Sequence, residues 1–302
     1  MPETNLPLVS FVMPVFNRAK VIARALDDII RERESDYPNI EIVVIDGGSK
    51  DGTADIVRGY GSKIDTFVSE KDRGVADAFN KGVRAAKGEI IRYIASDDEM
   101  IPGHTRRLVE HMMSHPEIDI LGAQSECWDV QADGTRKMAP PRGNPSGGWM
   151  DLNEVISWDQ QGVFAYIETW FMRRRVFDRA GYLDLKYRVA TDTDFAFRLV
   201  KSGAKFFVRP ECILRKYHYR DGSNNISNLD VMLREHREII LRHAGTRPFA
   251  WWALYRWPYP LHSRMFWSAW LGAGKMLRNS FPAGYRALQR AAGRSHEAGS
   301  RS

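Results

Sequence analysis

Cysteine is scarce in this chain, with only Cys127 and Cys212 among 302 residues. Two cysteines without metal-type spacing cannot build a disulfide framework, so a reducing compartment is expected. Long apolar runs are missing too. In the tryptophan-rich C-terminal part the longest uncharged stretch is 265–274, ten residues where a membrane-spanning helix needs about twenty. The opening residues, MPETNLPL, lack a basic segment followed by an apolar one, so no secretory signal is expected. Acidic residues nearly vanish toward the end: from Arg242 onward ten Lys or Arg stand against Glu297 alone. The first 241 residues therefore carry a net charge of about −3 although the whole chain carries +6. That distribution argues against nucleic-acid binding by the main domain.

What is present reads as a globular α/β domain. Hydrophobic residues make up 43% and charged residues 27%, which is ordinary for a chain that buries a core. Leu8 to Val15 is an apolar strand. After Asn17, apolar residues Val21, Ile22, Ala25, Leu26, Ile29 and Ile30 recur at helical spacing. Ile40 to Ile45 is a second buried strand, followed by a short helix over 54–60. A third strand, 64–68, leads to a helix over 75–86, and Ile90, Ile91, Tyr93 and Ile94 mark a fourth. Strands alternating with helices across short loops predict a parallel sheet with right-handed crossovers. Every strand then ends on the same edge.

Those ends carry the chemistry. The fourth strand runs into Ser96-Asp97-Asp98, and adjacent carboxylates there suit a hard cation such as Mg²⁺ or Mn²⁺, hence a phosphate. The same pair also suits a polar turn starting the next helix before Pro102. The second strand ends in Asp46-Gly47-Gly48-Ser49. Asp46 could accept a hydrogen bond from a base imide, and Gly47 and Gly48 allow close approach to the backbone. Taken alone, those four residues read as a plain turn. Convergence of several polar strand ends on one crevice favours a ligand.

With these residues in place the sequence resembles the family 2 glycosyltransferases, which have the GT-A fold. The matching elements are Pro14-Val15-Phe16-Asn17, Val44-Ile45-Asp46-Gly47-Gly48-Ser49 with Asp51-Gly52-Thr53, and Glu70-Lys71-Asp72 with Gly74. Asp77-Ala78-Phe79-Asn80-Lys81-Gly82 and Ser96-Asp97-Asp98 complete the series over roughly the first hundred residues. The resemblance implies a nucleotide-sugar donor, usually a UDP-sugar, and a divalent metal, Mn or Mg. It places Asp46 at the base, Pro14, Phe16 and Asn17 in the nucleotide pocket with Gly47, Gly48 and Ser49, and Asp72 and Asp77 near the ribose and sugar. Asn80 and Ser96 belong to the same donor-binding set. Asp97 would bind the metal, with Asp98 or His218 as further ligands. One position departs from the family pattern: Ala95 stands where an acidic or amide residue often precedes the metal aspartate.

Downstream, strands are expected over 118–122 and 126–130, with a turn at 132–135. Gln161, Glu168 and Trp170 resemble the family's acceptor side, where an aromatic beside polar groups can seat a sugar; for Trp170 core packing is an equal alternative. Asp192, in Thr191-Asp192-Thr193-Asp194, is either a helix cap or, as the resemblance implies, the base that deprotonates the acceptor. His218 follows an apolar strand at Ile213-Leu214 and reads as a metal or diphosphate ligand or as a structural histidine.

The expected organisation is a GT-A domain over 6–243, an aromatic, basic segment over 244–278 and a disordered tail over 279–302. Trp251, Trp252, Trp257, Trp267 and Trp270 mixed with basic residues suit a membrane interface, or else packing on a domain. The expected partners are a nucleotide-sugar donor, a saccharide or lipid-linked saccharide acceptor and a membrane surface, with no nucleic acid. The expected place is the cytoplasmic face of a membrane, in polysaccharide or glycolipid assembly. A nucleotidyltransferase would need a glycine-rich loop after the first strand, which Pro14 to Arg18 lacks. A non-catalytic scaffold would tolerate loss of Asp97 and Asp192, and both are present.

Overall fold

Two strands are buried along their whole length: β1 (Val9–Val15) and β2 (Ile40–Asp46). In the computed structural model the described residues are 6–130, 133–138, 148–150, 167–219 and 229–244. The chain divides into two compact units, Met1–Gly245 and Thr246–Ser302, and all described residues lie in the first. The expected segments 244–278 and 279–302 thus fall almost wholly outside the description.

The remaining elements follow in chain order. They are α1 (Ile22–Ser35), α2 (Thr53–Gly59), β3 (Thr66–Ser69), α3 (Val75–Ala85), β4 (Ile90–Tyr93), β5 (Glu99–Met100) and α4 (Thr105–Ser114). Then come β6 (Ile120–Val130), β7 (Arg136–Met138), β8 (Gly148–Met150), β9 (Phe171–Arg173), α5 (Arg175–Ala180), α6 (Thr191–Lys201), β10 (Phe206–Tyr219) and α7 (Leu229–Ala244). Among the described residues the strands form one sheet in the order β3-β2-β1-β4-β9-β6-β10-β5, with β7 on β6 and β8 on β10.

Both faces of the sheet are covered, which is why its central strands read as unbroken apolar runs. Along β1, Val9, Phe11, Met13 and Val15 join the core beneath α1 and α4, while Val12 joins the opposite core with α3 and α6. In β2, Ile40, Ile42 and Val44 take the first side and Val43 and Ile45 the second. This is the two-residue alternation of a strand serving two cores. Helix α3 sits close on the sheet at Gly82, where an added Cβ would lie 2.3 Å from Val12 Cγ1.

Direction decides where the site forms. Strands β1, β2, β3 and β4 run parallel, with Val9 opposite both Ile40 and Ile90. Strand β9 is antiparallel to β4 and to β6, and β6 is parallel to β10. Two reversals restore the original direction, so the end of β10 reaches the edge already holding Asp46 and Ser96–Asp98.

Two elements differ from expectation. The strands expected over 118–122 and 126–130 are the single strand β6. The short strand expected at Ile213-Leu214 is the middle of fourteen-residue β10. Arg209-Pro210-Glu211 hides its first half, because proline cannot donate to a ladder; the pairing register shifts there, between Val208 and Cys212. No helix among the described residues is long and apolar enough to cross a membrane.

Candidate functional site

The loops after β1 and β2 are stitched into one wall. Asn17 takes a left-handed φ of 51°, its N–H donates to Ser49 Oγ at 2.7 Å, and its Oδ1 accepts from the Lys50 N–H at 3.0 Å. Arg18 N–H donates to Thr53 Oγ1 at 2.7 Å and Ala19 N–H to Asp51 Oδ2 at 3.0 Å. Pro14 and Val15 close β1 beneath this wall, and Phe16 stands 54% exposed on it. Asp46 is fully buried at the end of β2. Its carboxylate accepts the Ser49 N–H at 3.1 Å, the Ser49 hydroxyl, and the Ser69 hydroxyl of β3 at 2.6 Å. A carboxylate has about four lone-pair sites, so most of its capacity orders this turn.

Gly47 packs closely against Asp72: a Cβ at residue 47 would lie 2.4 Å from Asp72 Oδ2, so that carboxylate would have to shift. Gly48 has a φ of +83°, which a side chain would strain. Asp72 accepts the Gly74 N–H at 2.8 Å. Asp77, buried in the first turn of α3, accepts the Arg73 N–H at 3.1 Å and faces Lys81 at 3.6 Å. Burial works to raise its carboxyl, but Arg73 and Lys81 bring it below the ordinary range. The Asn80 amide is committed at both ends to the Leu183 main chain, at 2.9 and 3.0 Å. It therefore fixes the approach to α6.

At the centre, Ser96 is buried, Asp97 exposed and Asp98 buried. Arg24 holds the loop by donating to the Asp97 carbonyl at 2.9 Å. Expected as a second metal ligand, Asp98 instead turns inward: its Oδ2 lies 3.0 Å from Lys216 Nζ of β10. The same ammonium lies 2.9 Å from Glu168 Oε1, in the single turn Ile167–Thr169. Burial raises the Asp98 carboxyl against the pull of Lys216, and the charges of Glu168 and Asp97 add to the rise. Burial alone would discharge Lys216, but its two carboxylates hold it charged.

Asp192 occupies the first turn of α6, half-buried, with Oδ1 accepting the Thr193 N–H at 2.8 Å. Burial, and then the negative charge of Glu168, push its carboxyl up to about 6. Asp194 is different. It is fully buried, ion-paired to Arg198 at 2.7 Å and bonded to His243 Nε2 at 2.7 Å.

What holds α6 in place comes from far along the chain. Glu235 of α7 accepts the main-chain N–H groups of Arg188, Val189 and Ala190 at 2.8, 2.8 and 2.9 Å. These residues lead directly into Thr191. Nothing local marks Glu235, because its partners lie 45 to 47 positions away. Lys216 left a fainter trace, as a lysine two residues after buried Leu214 in the same strand.

Trp170 takes the second of its two readings, core packing. Its ring is 1% exposed and meets Phe206 edge-on at 5.0 Å, so it packs in the core and offers no platform. Gln161 lies outside the described residues, as does the side chain of His218. Among the described residues no group of three or more His, Cys, Asp or Glu could hold a metal. The remaining fit is narrower: exposed Asp97 as one carboxylate, with phosphate oxygens and water completing the shell, a common arrangement for Mg²⁺.

Comparison with known proteins accords with this layout. The family model described as Glycosyl transferase family 2 matches residues 10–181. A PGL/p-HBAD biosynthesis glycosyltransferase of Mycobacterium tuberculosis is 28% identical over 233 residues, 76% of this chain and 84% of that protein. The uncharacterized glycosyltransferase EpsJ of Bacillus subtilis is 25% identical over 74% of this chain, which spans only 64% of EpsJ. Among solved structures, the mannosyltransferase PcManGT from Pyrobaculum calidifontis, in complex with GDP-Man and Mn²⁺, is similar at a TM-score of 0.61 and 20% identity. That match covers 96% of this chain and 81% of PcManGT. S. aureus TarS 1-349 in complex with UDP-GlcNAc is similar at 0.59 and 18% identity, over 82% of this chain and 70% of that one. At these identities the likeness speaks for the GT-A fold.

Proposed function

The chain belongs to glycosyl transferase family 2, and we propose that it moves a sugar from a nucleotide-diphosphate donor, a UDP-sugar, to an acceptor hydroxyl with inversion. The observation that carries this reading is Asp192, a half-buried carboxyl raised to about 6 by burial and Glu168. Such a group is ionised at neutral pH yet more basic than an ordinary aspartate, as a general base should be. Asp194, locked between Arg198 and His243, is unsuited to that role.

In this reading Phe16, Asn17 and the Asp46–Ser49 turn line the nucleotide pocket with Pro14, while Asp72, Asp77 and Ser96 face the ribose and sugar. Asn80 acts indirectly, through Leu183. Asp192 takes the proton of the acceptor hydroxyl as its oxygen bonds to the anomeric carbon. The bond to the diphosphate breaks on the opposite face, and one displacement inverts the configuration. A divalent cation, when bound by Asp97 and the donor phosphates, would neutralise charge on the leaving diphosphate. The cation in the PcManGT complex and the nucleotide sugars in both solved complexes support this chemistry.

The acceptor is read as a saccharide or lipid-linked saccharide, with Glu168 and Gln161 on its side of the crevice. The kinship with a PGL/p-HBAD biosynthesis enzyme supports glycolipid or polysaccharide assembly. The aromatic, basic segment 244–278 is read as a membrane-interface anchor on the cytoplasmic face. The test is to incubate purified protein with UDP- and GDP-sugars, with Mn²⁺, Mg²⁺ or chelator, and assay nucleotide release. Metal-dependent release from one donor is expected, and no release from any donor would overturn the reading.

A further inference from the structure

Resting on that sugar-transfer reading, we infer that Lys216 is a positioning residue that ties the donor loop Ser96–Asp98 to the acceptor-side turn Ile167–Thr169. One ammonium, with its side chain only 11% exposed, lies 3.0 Å from Asp98 Oδ2 and 2.9 Å from Glu168 Oε1. The three residues come from three places in the chain: the loop after β4, the turn before β9, and β10. Asp98 is the direct neighbour of Asp97, the carboxylate open to a cation. Two charges act on Asp192, Glu168 raising its carboxyl and Lys216 itself lowering it. Lys216 therefore stands between the residues assigned to the donor and those assigned to the acceptor and its base.

A buried ion bridge is a poor way to gain stability, since apolar side chains of similar size often serve as well or better. What it supplies is geometry, because Asp98 and Glu168 would repel one another across a dry interior without a cation between them. An in-line displacement needs that geometry. A misplacement of about 1 Å between reacting groups can cost roughly 100-fold in rate. Water, as a small nucleophile without a binding site to misalign, is far less sensitive.

The test uses the full chain with Mn²⁺ and the donor it accepts, comparing transfer to acceptor with hydrolysis. In hydrolysis the oxygen of water bonds to the anomeric carbon, the bond to the nucleotide diphosphate breaks and the proton leaves to solvent. Lys216→Met should lower the ratio of transfer to hydrolysis by roughly tenfold or more. Its donor KM should stay near that of the wild type, because Arg24 still holds the Asp97 carbonyl. Lys216→Arg, whose planar fork can bridge two carboxylates, should restore part of the ratio. An unchanged ratio in Lys216→Met, with both rates falling together, would mean a merely structural lysine and overturn the inference.

If Lys216→Met fails to fold, the neutral triple variant Asp98→Asn, Glu168→Gln, Lys216→Met removes the bridge without stranding a buried charge. A ratio lower in the folded triple variant than in Glu168→Gln alone supports the positioning role, and a ratio no lower than that of Glu168→Gln sinks it. Failure of the underlying reading looks different: the wild type itself would neither transfer nor hydrolyse any nucleotide sugar.

Discussion

Asp192 meets two opposed demands, and they can be measured separately. Its raised carboxyl prefers the proton in the folded state, so folding stability declines as pH climbs from the ordinary carboxylate range toward about 6. Asp192→Asn should therefore melt at or above the wild-type temperature at pH 7.5. Its turnover should fall roughly 10²–10⁴-fold with donor affinity nearly unchanged. Calorimetry beside steady-state kinetics checks both, and near-normal turnover would remove the base assignment. In the wild type, kcat should drop as pH falls through about 6, where Asp192 gains its proton. Asp97→Asn should abolish the Mn²⁺-dependent gain in UDP affinity, since an amide is a poorer ligand for a hard cation. Titration calorimetry with and without Mn²⁺ decides, and a persisting gain would move the ligand elsewhere. At this scale the candidate residues legible in the sequence were those on strand ends and helix starts, such as Asp46, Asp97 and Asp192. Asp98 and Trp170 turn inward, which residue type alone cannot show. Lys216 had no visible role until its two carboxylates were brought beside it.

Among the elements, α7 has the most to answer for. Glu235→Ala would strand the N–H groups of Arg188, Val189 and Ala190, at a cost of roughly 2–4 kcal/mol. The start of α6 should then loosen, lowering kcat more than tenfold while UDP affinity persists; thermal unfolding and UDP titration on the same variant check this. Equal loss of both would mean general unfolding. The βα alternation through β4 could be read in advance because each strand is an apolar run and each helix has an apolar stripe. β10 could not, since a proline and a register shift interrupt its pattern. The docking of α7 is also invisible locally, because it rests on long-range polar contacts from Glu235 and His243.

For the whole molecule, charge is divided between a mildly acidic body and a strongly basic end. Residues 249–278 hold five tryptophans and four Lys or Arg, each basic group worth about 1 kcal/mol at an anionic surface before salt screens it. In liposome flotation the full chain should rise with anionic vesicles and partly release at high salt. A version ending after Ala244, which keeps α7, should stay down, and equal behaviour of the two would reassign the aromatics to packing. The distance in sequence between α6 and its clamp has a further consequence, for the order in which the protein is made. Ala190 and Glu235 are 45 positions apart, so at about 5–20 residues per second a ribosome delivers the clamp roughly 2–9 seconds after the helix it holds. During that interval the start of α6 lacks the carboxylate that accepts its three leading N–H groups.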